Sequence, residues 1–384
     1  MAGLYIHIPF CSSRCIYCGF YSTTALELRQ KYVDALCREM EMRNATAQSS
    51  TERGCIDTVY LGGGTPSQLT PSQLEQLFIY INKVYAPPLF LEGDDEKQPE
   101  VTIECNPDDI TADFAEALSQ LPVNRVSMGA QTFDDSRLQF LRRRHTAAQV
   151  PQSVERLRNA GIRNISVDLM YGFPGETLED WNRDVDEALR LGVEHLSSYC
   201  LTIEEGTALY RLMKAESTDL HVDEELERAM YELLIDRLTA AGYEHYEISN
   251  FAKSGRRSRH NSSYWTGVPY IGLGAAAHSY NISSRRWNIA DISRYIAGIE
   301  NGKPEYEQEL IDEDTRYNDT VTVALRTCEG IDLQTLTAKH REYCLKNARR
   351  YLDNQLMELK EDHLRLTRRG LFVSNMVMSD LIWI

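Results

Sequence analysis

No apolar run in the 384 residues approaches the roughly 20 that a membrane helix needs. No basic segment followed by a long apolar one is present, so the sequence shows no secretory pattern. Positive charge is also short: 41 Lys and Arg against 57 Asp and Glu leave a formal charge of −16. Such a surface repels phosphate backbones, and the best basic cluster, RRSRH at 256–260, is brief, so nucleic acid is not an expected partner. Low-complexity runs and obvious repeats are missing too. A hydrophobic content of 42% is enough for a sizeable core, and the length suits one large α/β domain plus a smaller one. The expectation is a cytoplasmic protein with at most peripheral membrane association.

Cysteine is present in nine copies, an odd number. Three of them, Cys11, Cys15 and Cys18, crowd into HIPFCSSRCIYCGF at 7–20. Without an export pattern, clustered thiols read as metal or redox ligands before disulfides. The spacing C-x3-C-x2-C puts three thiolates on one loop. Structural zinc usually takes four ligands in C-x2-C pairs, and His7 would be an awkward fourth. Three thiolates suit a [4Fe–4S] cluster, whose fourth iron then stays open for a chelating ligand. Cys37, Cys55, Cys105, Cys328 and Cys344 read as structural.

Strand-like runs at 4–8, 57–63, 100–106, 124–131, 164–172 and 194–202 alternate with helix-like segments such as 28–43 and 147–161. Strand then helix, repeated about six times, predicts parallel strands with crossover helices. The strands are apolar and β-branched, as buried parallel strands should be. Each polar or glycine signal follows a strand: FCSSRCIYC, GGGTP, ECNP, GAQTF, DLMYGFPGET and SYCLTIEEGT. Sites of parallel barrels form from such loops. Six units make a partial (β/α)6 barrel, the α/β fold class expected here. Three parts follow: 1–220 the barrel, 221–310 a helical and β extension carrying RHNSSYW, and 311–384 a small α+β C-terminal domain of winged-helix-like shape. A helix is expected at 223–242, a polar connection at 303–319 and a hairpin at 359–367.

The ordered set HIPFCSSRCIYC, LGGGTP, SMGAQTF, DLMYGFPGET and RHNSSYW resembles the radical S-adenosylmethionine (SAM) enzymes. Within them it resembles the group of oxygen-independent coproporphyrinogen III oxidases and their haem-chaperone paralogues. The resemblance covers nearly the whole chain. It implies a [4Fe–4S] cluster on Cys11, Cys15 and Cys18, SAM on its open iron, and one-electron cleavage of SAM to a 5′-deoxyadenosyl radical. It implies SAM contacts from the Gly62-Gly63-Gly64 loop with Thr65, from Tyr5 and Tyr17, and from Glu104, Gln131, Arg143, Asp168 and Cys200. Each has a plainer alternative: a strand-to-helix turn for the glycines, a core aromatic for the tyrosines, a solvated basic face for Arg143 beside Arg142 and Arg144, a free buried thiol for Cys200. Glu104 and Asp168 are carboxylates on apolar strands, costly unless paired.

RHNSSYW resembles the haem-chaperone branch, which implies haem contacts from His260, Asn261, Tyr264 and Trp265, with His278 a weaker candidate and His7 and His145 weaker still. A neutral imidazole can ligate haem iron and a flat aromatic can stack on a porphyrin; a polar surface histidine is the alternative. The oxidases of this group carry a further cysteine where this chain has Phe20, and a longer stretch before the cluster. Both departures favour a haem chaperone that delivers haem to an acceptor protein. The rival is oxidative decarboxylation of coproporphyrinogen III. A radical SAM enzyme with another substrate, or a purely structural iron–sulfur protein, would also explain the thiols.

Overall fold

The computed structural model describes residues 2–46, 56–85, 98–216 and 223–384. Six parallel strands lie in chain order: β1 (Ala2–Ile8), β2 (Ile56–Gly63), β3 (Glu100–Cys105), β4 (Arg125–Gln131), β5 (Asn164–Tyr171) and β6 (His195–Cys200). The crossover helices include Arg29–Thr46, Pro71–Tyr85, Gln149–Asn159 and Leu178–Leu191. The last shows why they sit where they do. Thr177 and Asp180 form a capping box at its start, and Gly192 at φ +60° stops it.

The strands are apolar on one face only. Leu4, Ile6, Ile8, Val59, Leu61 and Ile103 belong to the core built with the helices. The alternate residues are polar: Tyr5, His7, Tyr60, Thr102, Glu104, Arg125, Ser127, Ser166, Asp168, His195 and Ser197. Side chains alternate between faces of a strand, so this second face lines the concave inside of the partial barrel. The apolar character read along these strands therefore belongs to one face only.

The sheet is also wider than expected. Two strands, β7 (Glu244–Glu247) and β8 (Asn250–Ala252), extend it antiparallel beyond β6. At the other side a seventh parallel strand, β9 (Tyr270–Leu273), pairs with β1. Beyond it lie β10 (His278–Tyr280), β11 (Ser284–Asn288) and β12 (Tyr306–Leu310), all antiparallel. The polar stretch 303–319, expected as a connection, thus supplies an edge strand. The expected helix at 223–242 runs Glu224–Ala240. RHNSSYW forms a short helix, Arg259–Trp265, capped by Ser258.

The C-terminal part has its own core, including Tyr317, Val321, Leu325, Cys344, Tyr351 and Leu381. Its small antiparallel sheet joins β13 (Ile331–Asp332), β14 (Met357–Lys360) and β15 (His363–Leu366), the last two forming the expected hairpin. The expected boundary at 220/221 and Cys55 lie outside the described residues. Cys37, Cys105 and Cys344 are buried, whereas Cys328 is exposed. Among the described residues no helix is long and apolar enough to cross a membrane.

Candidate functional site

The three-cysteine loop leaves the C-terminal end of β1 and is held from both sides. Cys11 N–H donates to the Thr23 carbonyl (2.9 Å) and Thr23 N–H to that of Pro9 (2.7 Å). Midway, Ile16 is buried with Leu141, Met170, Phe173, Leu201 and Leu209, and its backbone bonds to Leu141 and Leu209. The loop is therefore pinned by one apolar side chain while Cys11, Cys15 and Cys18 stay half-buried and free of disulfides.

The surrounding strand ends reach these thiols. Thr65 Oγ1 lies 3.4 Å from Cys11 Sγ. Arg143 directs Nη1 at Cys15 Sγ (3.6 Å), while its Nη2 donates to Asn106 Oδ1 (2.8 Å) and the Gly129 carbonyl (2.6 Å). Arg142 and Arg144 are exposed, so the structure separates the three arginines and removes the solvated-face reading for Arg143. Burial pushes the Cys11 and Cys18 thiols up from their ordinary range, and the Tyr17 phenol likewise.

No three His, Cys, Asp or Glu side chains among the described residues converge on a single metal ion. A four-iron cluster does not require that, because each thiolate takes its own iron. Three soft donors on one half-buried loop, with a guanidinium against one sulfur, fit such a cluster.

Glu104 accepts from Tyr60 Oη (2.7 Å) and Gly63 N–H (3.0 Å). Burial lifts its carboxyl to about 7, with Asp168 adding to the rise and Arg125 opposing it. Asp168 is also raised by burial, against hydrogen bonds from Ser197 and Ser127 and the charges of Arg125 and Arg143. Tyr199 projects into the same space and is 44% exposed. Its phenol is raised by burial and by Asp168. Groups so deep that remain partly accessible line a cavity rather than a surface.

The glycine loop has a reason of its own. A Cβ on Gly62 would meet the Tyr60 ring at 2.7 Å and Glu104 at 3.0 Å; one on Gly63, at φ +112°, would meet the His7 ring at 2.5 Å. Close packing against β1 and β3 thus demands the bare backbone, whatever ligand it faces. Gln131 sits at φ +69° beside a register shift in β4. A non-glycine residue there is strained, and strain of this kind gathers at functional sites. Tyr5 bonds His7 Nδ1 (3.0 Å), and His7 Nε2 meets the Tyr21 carbonyl (3.0 Å), so His7 has no nitrogen left for a metal. His145 is buried against the Ala130 carbonyl. Cys200 packs against Gly172, its thiol pushed up to about 12 by burial and the neighbouring Glu227.

RHNSSYW lies elsewhere. Its helix closes the opposite end of the barrel, where β2 and β3 begin. His260 is 1% exposed. Its Nδ1 lies 2.8 Å from Thr58 Oγ1 and its Nε2 2.8 Å from Tyr264 Oη. Glu100 accepts from the backbone N–H of Arg259 and His260. The His260 ring stacks at 5.0 Å on Tyr60, and burial lowers its pKa to about 3. Asn261 donates its backbone N–H to the Ser258 cap, and Trp265 meets Tyr246 edge-on at 5.8 Å. The surface reading of His260 is corrected. Five residues of strand, about 16 Å, separate this floor from the cysteine loop. His278 is exposed on β10.

Sequence reasoning missed Tyr60, Asn106, Arg125, Ser127, Ser197 and Tyr199. All but Asn106, which follows β3, stand at alternate positions of otherwise apolar strands, a pattern that does not by itself say whether a residue faces a lumen or a helix.

A parallel partial barrel with three thiols at its C-terminal mouth defines a class, and residues 5–188 match the Radical SAM superfamily. Residues 311–373 match the HemN C-terminal domain. The chain is 37% identical to the heme chaperone HemW of Bacillus subtilis, covering 88% of this chain and 87% of that one. It is 33% identical to the heme chaperone HemW of Mycobacterium tuberculosis, covering 99% and 94%. Among solved structures, the coproporphyrinogen III oxidase HemN of Escherichia coli superposes with a TM-score of 0.83 at 20% identity, over 99% of this chain and 90% of that one. The chain belongs to the HemW family of radical SAM proteins.

Proposed function

We propose that this protein is a haem chaperone on a radical SAM scaffold, binding haem and passing it to an acceptor protein in the cytoplasm. The observation that carries this reading is the likeness to proteins named heme chaperones along 88% and 99% of the chain. Cys11, Cys15 and Cys18 would hold three irons of a [4Fe–4S] cluster. A reduced cluster supplies an electron to the SAM sulfonium when both are bound. The chain's own residues prepare that mouth. Ile16 fixes the thiol loop, Arg143 places a cation on Cys15, and Tyr5, Tyr17, Gly63, Gly64, Thr65, Glu104, Gln131, Asp168 and Cys200 surround the space for SAM. On this reading 1–220 holds the cofactors, 221–310 closes the floor and widens the wall, and 311–384 is a separate module.

Phe20 supports the chaperone over the oxidase. It is 76% exposed, a surface aromatic where the resembling oxidases carry a further thiol. The test pairs two assays on cluster-loaded protein. A haem titration should give saturable binding with a defined Soret band. An anaerobic incubation with SAM, reductant and coproporphyrinogen III should leave the porphyrin unchanged by mass spectrometry, beside an active oxidase as control. Repeated loss of two carboxyl groups would replace the chaperone with the oxidase.

A further inference from the structure

The wide sheet ends on one side at β12, and among the described residues no strand pairs with its outer edge. The opposite edge, β7, is bridged at Glu247 to Thr327 of the C-terminal module. All five residues of β12 are exposed. Two bonds fix which of its backbone groups point outward. Ile289 N–H donates to the Glu305 carbonyl (3.2 Å) and Ile311 N–H to that of Ser283 (2.9 Å). Backbone groups alternate between the two sides of a strand. Residues 305, 307, 309 and 311 therefore bond to β11, and Tyr306, Gln308 and Leu310 turn their N–H and C=O away from it. Such an edge is a template for a further strand.

The edge is acidic. The stretch 304–315 holds six carboxylates and no Lys or Arg. Glu307 and Glu309 share one face, opposite Trp287 and Arg285 of β11. Arg285 divides its single charge between Glu309 (3.1 Å) and Asp319, so the face stays negative. A second copy of the chain does not fit it. Antiparallel pairing about Gln308 would set Glu307 against Glu309 twice, and like charges directly opposite repel.

The other face of the strand is apolar at both ends. Leu310 is 82% exposed; Tyr306 is exposed too, with the Arg286 guanidinium over its ring (3.7 Å). Leu310 pairs with Ser284, which places it beside the turn between β10 and β11. Ile282 stands at the tip of that turn, exposed and at φ +76°. A β-branched residue in the left-handed region is strained where glycine would not be. Asn281 closes the turn, its Oδ1 accepting from the N–H of Ser283 (3.2 Å) and Ser284 (2.8 Å). The turn thus presents an apolar side chain to solvent despite backbone strain, a combination that suits a binding surface.

We propose that β12 is the docking edge for an extended segment of a partner protein, one that carries Lys or Arg at alternate positions with apolar residues between them. The segment adds a strand to the sheet. Its main chain pairs with Tyr306, Gln308 and Leu310. Its cations face Glu307 and Glu309, and its apolar side chains cover Tyr306, Leu310 and Ile282. Docking stands on this edge alone; only the identification of the partner with the haem acceptor rests on the chaperone reading above.

The probe is a fluorescent peptide of alternating lysine and valine, titrated by anisotropy into the cluster-loaded full chain. Binding should saturate and should weaken as salt rises. Hydrogen exchange should slow more at the amides of 306, 308 and 310 than at those of 307 and 309. Gln308→Pro removes an outward N–H and no bond to β11. It should weaken binding about tenfold or more while iron content and circular dichroism match wild type. Glu307→Lys should lose the lysine peptide and gain a peptide alternating glutamate with valine, a swap that loss of fold cannot produce. No saturable binding by wild type, or undiminished binding by Gln308→Pro, would overturn the docking edge. So would self-association of wild type that Gln308→Pro abolishes, since the occupant would then be a second copy. Haem titration of the same samples keeps the two readings apart. Haem binding without peptide binding removes the edge and leaves the chaperone; peptide binding without haem binding removes the chaperone and leaves the edge.

Discussion

Folding carries the Glu104 carboxyl from its ordinary range near 4.5 up to about 7, so the native state disfavours the charge. The sign follows. Whatever Glu104 contributes is fully present below about 4.5 and is lost as pH rises through about 7. Glu104→Gln should therefore stabilise the cofactor-free protein at pH 8 by about 1–2 kcal/mol, with the weaker bond to Gly63 offsetting part of the gain. At pH 4.5 the two proteins should unfold alike. Urea denaturation at both values checks this; equal stability at pH 8 would mean that Arg125 and the Tyr60 and Gly63 donors hold the group as a carboxylate. Arg143 makes a second prediction. A cation hydrogen-bonded to a ligating sulfur favours the reduced, more negative cluster. In SAM-free, cluster-loaded Arg143→Gln the reduced-to-oxidised ratio at a fixed potential should fall about tenfold, a 59 mV change for one electron. Arg143→Lys should fall less, and iron and sulfide content should match wild type. An unchanged potential would leave Arg143 with packing alone. At this scale the sequence was legible wherever a motif was dense. The cysteine triplet, the glycine loop and the two strand carboxylates are all at the mouth. Arg125 and Tyr199 were not legible, because a single polar residue in an apolar strand looks the same whether it faces a lumen or a helix.

Elements show the same contrast. The six parallel strands were readable because each is long, apolar and stopped by glycine or a polar loop. β9 was not: four residues beside a glycine-rich stretch give too few alternations to separate strand from loop. Register against β1 defines it, and that is a tertiary fact. The helix Arg259–Trp265 was hidden for a related reason. Seven residues are too short for a helical period, and much of its anchorage lies 160 residues away in sequence. Glu100, buried at the start of β3, accepts both of its leading N–H groups at 3.0 and 2.9 Å. Glu100→Ala should leave those donors without a partner at a cost of about 1–3 kcal/mol. The loss should appear in urea denaturation, and hydrogen exchange should speed up at the amides of 259–265 before those of β1. Uniform exchange through the sheet would show instead that floor and wall open together.

At the scale of the whole molecule, a hydrogen-bonded strip at Tyr246–Ile248 joins the barrel to the C-terminal module, beside the ion pairs Arg368–Asp236 and Arg257–Glu329 and the Phe372 ring on Tyr231. Ile248 N–H donates to the Arg326 carbonyl (2.9 Å), Cys328 N–H to that of Tyr246 (3.1 Å), and Glu247 bridges Thr327. The Glu247 side chain, buried, is met by Arg326 Nη2 (2.6 Å) as well as by the Ser249 N–H and Asn250 amide. A separate core on each side makes such a junction a natural place for local opening. Arg326→Met leaves the carboxylate with its two amide donors and no counter-charge. The cost should be about 1–3 kcal/mol, concentrated at the junction rather than in either core. Limited proteolysis should then release a C-terminal fragment faster than from wild type, while cluster content and SAM binding by the barrel stay unchanged. If the cluster is lost at the same rate as the fragment, the module props the barrel itself, and the two cores act as one folding unit.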